Sequence, residues 1–188
     1  MNCKCGHDAG KHDSGGCCRE AFCLCSELVP VRRERIETET EIAKPVYSDW
    51  NNRFIYEAKL IAEWSKDPRT KVGCVIADKE HNQLSSGFNG FPRGIADDGR
   101  LLERDVKLRI IVHAEANAIA AAARNGHSLK GSVAFITLPP CSQCASLLIQ
   151  AGISQVCFLK GQSEHWEDNW KLAKSLLSEA GVMWMEIQ

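Results

Sequence analysis

From residue 47 onward, short apolar runs of strand length alternate with longer stretches whose apolar residues recur at helical spacing. No other feature limits the chain as much, because strands separated by helices fold into layered α/β structures with part of the sheet parallel. Trp50, Phe54, Ala58, Ile61, Ala62 and Ser65 recur at helical spacing, so a helix is expected near 50–65, stopped by Asp67-Pro68. Val72–Ala77 and Gln83–Asn89 read as two strands joined by a turn near Lys79–Asn82. Residues 90–110, rich in Gly, Pro and charge, read as loop. A second helix is expected from about His113 to Asn125-Gly126, a good C-capping pair. Ser132–Leu138 reads as a buried strand, followed by Pro139-Pro140 and a third helix over Ser142–Ala151. Ser154–Leu159 is a further strand, Trp166, Trp170, Ala173, Leu177 and Ala180 mark a fourth helix, and Val182–Ile187 closes as a strand. The expected order is αββαβαβα and a last strand, a three-layer α/β domain with a partly parallel sheet.

The first 46 residues read differently. Six of the ten cysteines fall within residues 1–25, together with His7 and His12 and a single aromatic, Phe22. Such a segment cannot bury a core, so metal is expected to hold it if it folds. Cys3, Cys5, His7, His12, Cys17, Cys18, Cys23 and Cys25 are eight potential ligands, enough for one structural zinc with spares or for two. Cys5-Gly6-His7 and Cys23-Leu24-Cys25 resemble ligand-bearing turns of a small zinc ribbon or knuckle, and a reduced, disordered tail is the alternative. In residues 26–46, Glu alternates with Ile or Thr from Glu37 on, between Pro30 and Pro45; this reads as a solvated linker, with an exposed strand as the alternative. The expected organisation is a Cys/His-rich segment at 1–25, a charged linker at 26–46 and a globular domain at 47–188.

Charge and hydropathy exclude several function classes. The chain carries 23 Lys+Arg against 24 Asp+Glu, so a general basic coat for nucleic acid is not expected. No apolar run approaches the ~20 residues that span a bilayer, and Met1-Asn2-Cys3-Lys4-Cys5 lacks the apolar core of a secretory signal. A cytoplasmic setting is therefore expected, where clustered Cys and His point to metal rather than disulfides.

Two segments carry the chemistry. His113-Ala114-Glu115 opens the second expected helix, and Pro140-Cys141-Ser142-Gln143-Cys144 opens the third. Cys141 and Cys144, three apart, share a face of a first helical turn, where the helix dipole favours thiolate. One His and two Cys are three ligands for zinc, which prefers four, leaving a position for water. Bound water then loses a proton near neutral pH. Glu115, two residues from His113, need not bind the ion and is placed to move protons beside that water. H-x-E…P-C-x-x-C is the signature of zinc nucleobase deaminases.

On these motifs the chain resembles the cytidine deaminase superfamily, and within it the deoxycytidylate (dCMP) deaminases, over most of residues 48–160. Further matches are Asp67-Pro68-Arg69-Thr70-Lys71-Val72-Gly73-Cys74-Val75-Ile76, the Gly87-Phe88-Asn89-Gly90-Phe91-Pro92-Arg93-Gly94 loop, His113-Ala114-Glu115-Ala116-Asn117-Ala118-Ile119, Ala151-Gly152-Ile153 and Trp50. The resemblance implies a three-layer α/β/α domain with a mixed five-stranded sheet. It implies deamination of dCMP, or of a 5-substituted dCMP, to dUMP and ammonia, which feeds thymidylate synthesis. Zinc hydroxide would attack C4, with Glu115 protonating N3 and then the leaving amine. Asn89 would contact the sugar and the backbone at Ala114 the base; Thr70 and Lys71, or Arg124, would lie near the 5′-phosphate. Hexameric assembly and dCTP and dTTP effectors, with Mg2+ beside an allosteric nucleotide, are also implied. Two features depart from the pattern: the Cys-rich start, and Ala116 where the family motif has Leu. A polynucleotide deaminase of the tRNA-adenosine type would need a basic groove. An idle scaffold serving as a binding module would have lost Glu115 or a ligand.

Overall fold

A computed structural model describes residues 49–187. The Cys/His-rich segment and the charged linker lie outside the described residues. The first helix, α1 (Trp50–Ala62), begins where the Asp49 side chain accepts the Asn52 N–H at 2.9 Å. Then follow β1 (Gly73–Ala77), β2 (Gln83–Phe88), α2 (Arg104–Ile110), α3 (Ala114–Asn125), β3 (Val133–Ile136), α4 (Ser142–Gln150), β4 (Gln155–Leu159), α5 (Glu164–Glu179) and β5 (Met183–Ile187). The strands form one sheet in the order β2-β1-β3-β4-β5. β1 is antiparallel to both of its neighbours, and β3, β4 and β5 run parallel. The sheet is mixed and five-stranded, as expected.

Period-two alternation sorts the core into two layers. Cys74, Ile76, Ala134, Ile136, Val156 and Phe158 face α3, α4 and α5, packing on Ala118, Ala122, Leu148 and Leu177. Val75, Ala77, Phe135 and Cys157 face the other way, onto Phe54, Ile55, Ala58 and Ile61 of α1. The sheet therefore lies between helices on both faces. α4 and α5 cover one face because each is a crossover between parallel strands of one hand. Cys74 and Cys157 are core residues, fully buried.

The expected helix and strand ends hold to within a few residues. Gly126 takes φ 73° and closes α3 as a left-handed cap. Residues 90–110 differ from the expected loop. They contain a short 3-10 turn, Gly99–Leu101, whose Asp98 cap accepts the Arg100 N–H, and then α2. The only buried residue of α2 is Lys107, held by Asp67 at 2.9 Å. A seven-residue helix anchored by a charge has no apolar stripe, so periodicity does not reveal it.

Close backbone approach sets the position of α3. A Cβ on Gly87 of β2 would overlap the Ala118 nitrogen and the Ala114 oxygen, so only glycine lets the first turns of α3 lie this near the sheet. Gly87→Ala is expected to lower stability by about 2 kcal/mol through overpacking. A thermal melt beside the parent checks this, and an unchanged melting temperature would refute the close approach.

Candidate active site

His113 is the N-cap residue of α3, and the chain reaches it through a short bridge in which Gly90 and Val112 exchange backbone hydrogen bonds at 2.9 and 3.1 Å. Cys141 is the N-cap of α4 and Cys144 lies in its first turn; the Cys141 sulfur accepts the Cys144 N–H at 3.4 Å. The two helix starts face each other. His113 Nδ1 is 3.5 Å from Cys141 Sγ and 3.4 Å from Cys144 Sγ. Ordinary zinc–nitrogen and zinc–sulfur bond lengths at a tetrahedral angle give an N···S edge of about 3.6 Å. The three ligand atoms thus stand close to the separations that zinc requires, and all lie within 4.8 Å of one another. Among the described residues no fourth His, Cys, Asp or Glu joins them. Three such donors suit zinc and leave one tetrahedral position for a small molecule.

Glu115 is 4% exposed beside this cluster. Burial raises its affinity for a proton, against a smaller opposing pull from its own backbone and from His113. The hydrogen bond with Cys141 favours the charged form of His113. Within the thiol pair, the bond from Cys144 holds the Cys141 thiol well below its usual range, and Cys144 correspondingly keeps its proton. Both sulfurs lie at the positive end of a helix, which favours thiolate.

His113, Glu115 and Cys141 border one cavity of about 640 Å3. That volume is in the range of small-molecule sites. Thr70, Asn89 and Ala114 line it too. Asn89 is 5% exposed; its Oδ1 accepts the Val72 N–H at 2.7 Å and its Nδ2 donates to the Thr70 carbonyl at 2.9 Å. One Nδ2 hydrogen is left for a ligand. Lys71 and Arg124 are not brought to this cavity. Lys71 instead pairs with Glu63 at 2.9 Å on the surface. Arg124 lies in the last turn of α3, about 16 Å along the axis from His113.

Arg69 and Arg104 line the cavity instead, and neither forms an ion pair with another described residue. His165, Trp166 and Trp170 form part of the wall. In the sequence, Trp166 and Trp170 stand out only as markers of the fourth helix. His165 and Trp166 are in the first turns of α5, and Trp166 is 37% exposed. Their position carried a signal: they follow the carboxyl end of β4, and ligands of α/β sheets bind beyond the carboxyl ends of parallel strands.

Residues 48–160 match the family model for the cytidine and deoxycytidylate deaminase zinc-binding region. An uncharacterized deaminase from the luxG 3′ region of Aliivibrio fischeri is 41% identical over 140 residues, covering 72% of this chain and 91% of that protein. The deoxycytidylate deaminase of Homo sapiens is 38% identical over 142 residues, covering 72% of this chain and 78% of that one. The crystal structure of dCMP deaminase from cyanophage S-TIM5, in complex with dCMP and dUMP, superposes with a TM-score of 0.63 at 27% identity, covering 72% of this chain and 94% of that one. Extent and identity together place this chain in the cytidine and deoxycytidylate deaminase family.

Proposed function

We propose that this protein is a zinc-dependent dCMP deaminase, converting dCMP and water to dUMP and ammonia. The observation that carries the reading is the set of His113, Cys141 and Cys144 at zinc-ligand spacing, with buried Glu115 on the same cavity wall. Proteins to which this chain is similar over 72% of its length are named for this activity.

Zinc bound by His113, Cys141 and Cys144 would supply the Lewis acid that makes water a nucleophile at neutral pH. Glu115 takes the proton that water gives up and delivers it to ring N3 as C4 gains its oxygen. It then takes the remaining proton of the new C4 hydroxyl and passes it to the amine, so that C4 becomes a carbonyl as the C4–N bond breaks and ammonia leaves. Asn89 offers its remaining amide hydrogen to the sugar, and the backbone at Ala114 borders the base. Thr70, Arg69 and Arg104 suit the 5′-phosphate, in place of Lys71 and Arg124. The near-neutral charge of the chain supports a mononucleotide over a polynucleotide substrate.

The division at 1–25, 26–46 and 47–188, with one or two structural zinc ions on the first segment, is proposed from composition. Hexameric assembly, control by dCTP and dTTP with Mg2+, and a 5-substituted substrate rest on the family resemblance. A cytoplasmic location rests on composition, and no described helix is long and apolar enough to cross a membrane.

Ammonia release from dCMP, measured beside deoxycytidine, tests the reading. Charge-assisted bonds from arginine to phosphate are expected to favour dCMP by roughly tenfold to a hundredfold in kcat/KM. Turnover of neither compound by zinc-loaded protein would sink the proposal. Glu115→Gln is expected to keep its zinc and lose about a thousandfold in kcat, the range of a general acid–base group. A Gln variant with parental turnover would remove Glu115 from the chemistry.

A further inference from the structure

The cavity wall contains one buried ion pair that the proposed chemistry leaves unused. Lys107 is 6% and Asp67 3% exposed, and the Lys107 ammonium reaches both carboxylate oxygens at 2.9 and 3.0 Å. We propose that Lys107 and Asp67 are positioning residues that set the substrate-facing amide of Asn89 through the turn between them.

The connection runs through named bonds. The Asp67 carboxylate also accepts the backbone N–H groups of Arg69 and Thr70, at 2.9 and 3.3 Å. Thr70, held in this way, offers its carbonyl to Asn89 Nδ2 at 2.9 Å, while Val72 two residues on donates to Asn89 Oδ1 at 2.7 Å. The Asn89 amide is gripped at both ends by different chemistry, so turning it over would set donor against donor and acceptor against acceptor. A second thread closes the loop: Ser65 Oγ donates to the Asn89 carbonyl at 2.7 Å and accepts the Asp67 N–H at 3.2 Å.

Stability alone does not explain such a pair. Removing two charges from water costs several kcal/mol per ion, and apolar replacements of buried pairs are often neutral or better. Burial opposes ionisation of Asp67, yet the Lys107 bond and the two amides hold its carboxyl below the usual range. The pair has a geometric consequence instead. Lys107 is the only buried residue of α2, so this one contact docks the helix that also carries Arg104 and Leu108 to the cavity. One ion pair thus ties together the α2 wall, the turn bearing Arg69 and Thr70, and Asn89.

The test combines kinetics with hydrogen exchange. The kinetic part rests on the reading of the cavity as a dCMP site; the exchange part does not. Lys107→Met is expected to raise KM for dCMP about tenfold, the worth of one well-placed hydrogen bond, with kcat within about threefold of the parent. Exchange should quicken over residues 65–72 and 88–91 and stay unchanged over α4 and β4. Lys107→Arg is expected to recover part of the KM. Should Lys107→Met fail to fold, Asp67→Asn/Lys107→Met leaves no unpaired charge and keeps an acceptor for the two turn amides. It should still show the higher KM and faster exchange. Unchanged exchange over residues 65–72 overturns the clasp. Faster exchange with a parental KM overturns its bearing on substrate. A parent protein inactive on dCMP defeats the reading of the cavity, and the exchange result then decides the clasp on its own.

Discussion

Everything at the candidate site depends on the starts of two helices meeting on one face of the sheet. An imidazole from the start of α3 and two thiols from the start of α4 must come within a metal ion's reach of one another, and neither helix can reach alone. The approach is set by small residues. Gly87 lets α3 rest its backbone on β2, and the fully buried Ala114 and Ala118 continue that close packing. The two helix starts then add their partial positive charges where a thiolate is needed. A bulkier residue at these positions would move His113 by more than the few tenths of an ångström that a tetrahedral site tolerates.

The cavity beyond the ligands is built from charges treated in two ways. Glu115 is buried without a cation of its own beyond His113, which suits a group that gains and loses a proton. Asp67 is buried with a full complement of donors, which suits a group that stays ionised and holds its neighbours still. Two carboxylates on one wall thus serve opposite ends because their surroundings differ. Arg69 and Arg104, which form no ion pair among the described residues, add positive charge to the same cavity.

Much of this was legible in the sequence, and the limits have physical causes. The sheet and its large helices announce themselves because their apolar periodicities face a common core, from Phe54 on α1 to Leu177 on α5. The ligand set is legible because each half lies in a local motif at a helix start. The helix α2 is not, because its single buried side chain is charged and its partner lies 40 residues earlier. The cavity walls are equally hidden. Arg69, Arg104 and the adjacent His165 and Trp166 come from three separate segments of chain that only the tertiary fold unites. Lys71 and Arg124 carry the right charge, but one is drawn to Glu63 and the other lies at the wrong end of α3.

The central claim is that His113, Cys141 and Cys144 together hold the one zinc ion on which deamination depends. Zinc content per chain, measured for the parent and for Cys144→Ala alongside dCMP turnover, tests it most directly. Because the two proteins share residues 1–25, any zinc held there cancels in the difference. The variant should carry one zinc fewer per chain and show no turnover. A folded variant that keeps the parental zinc content, or that still converts dCMP, would contradict it.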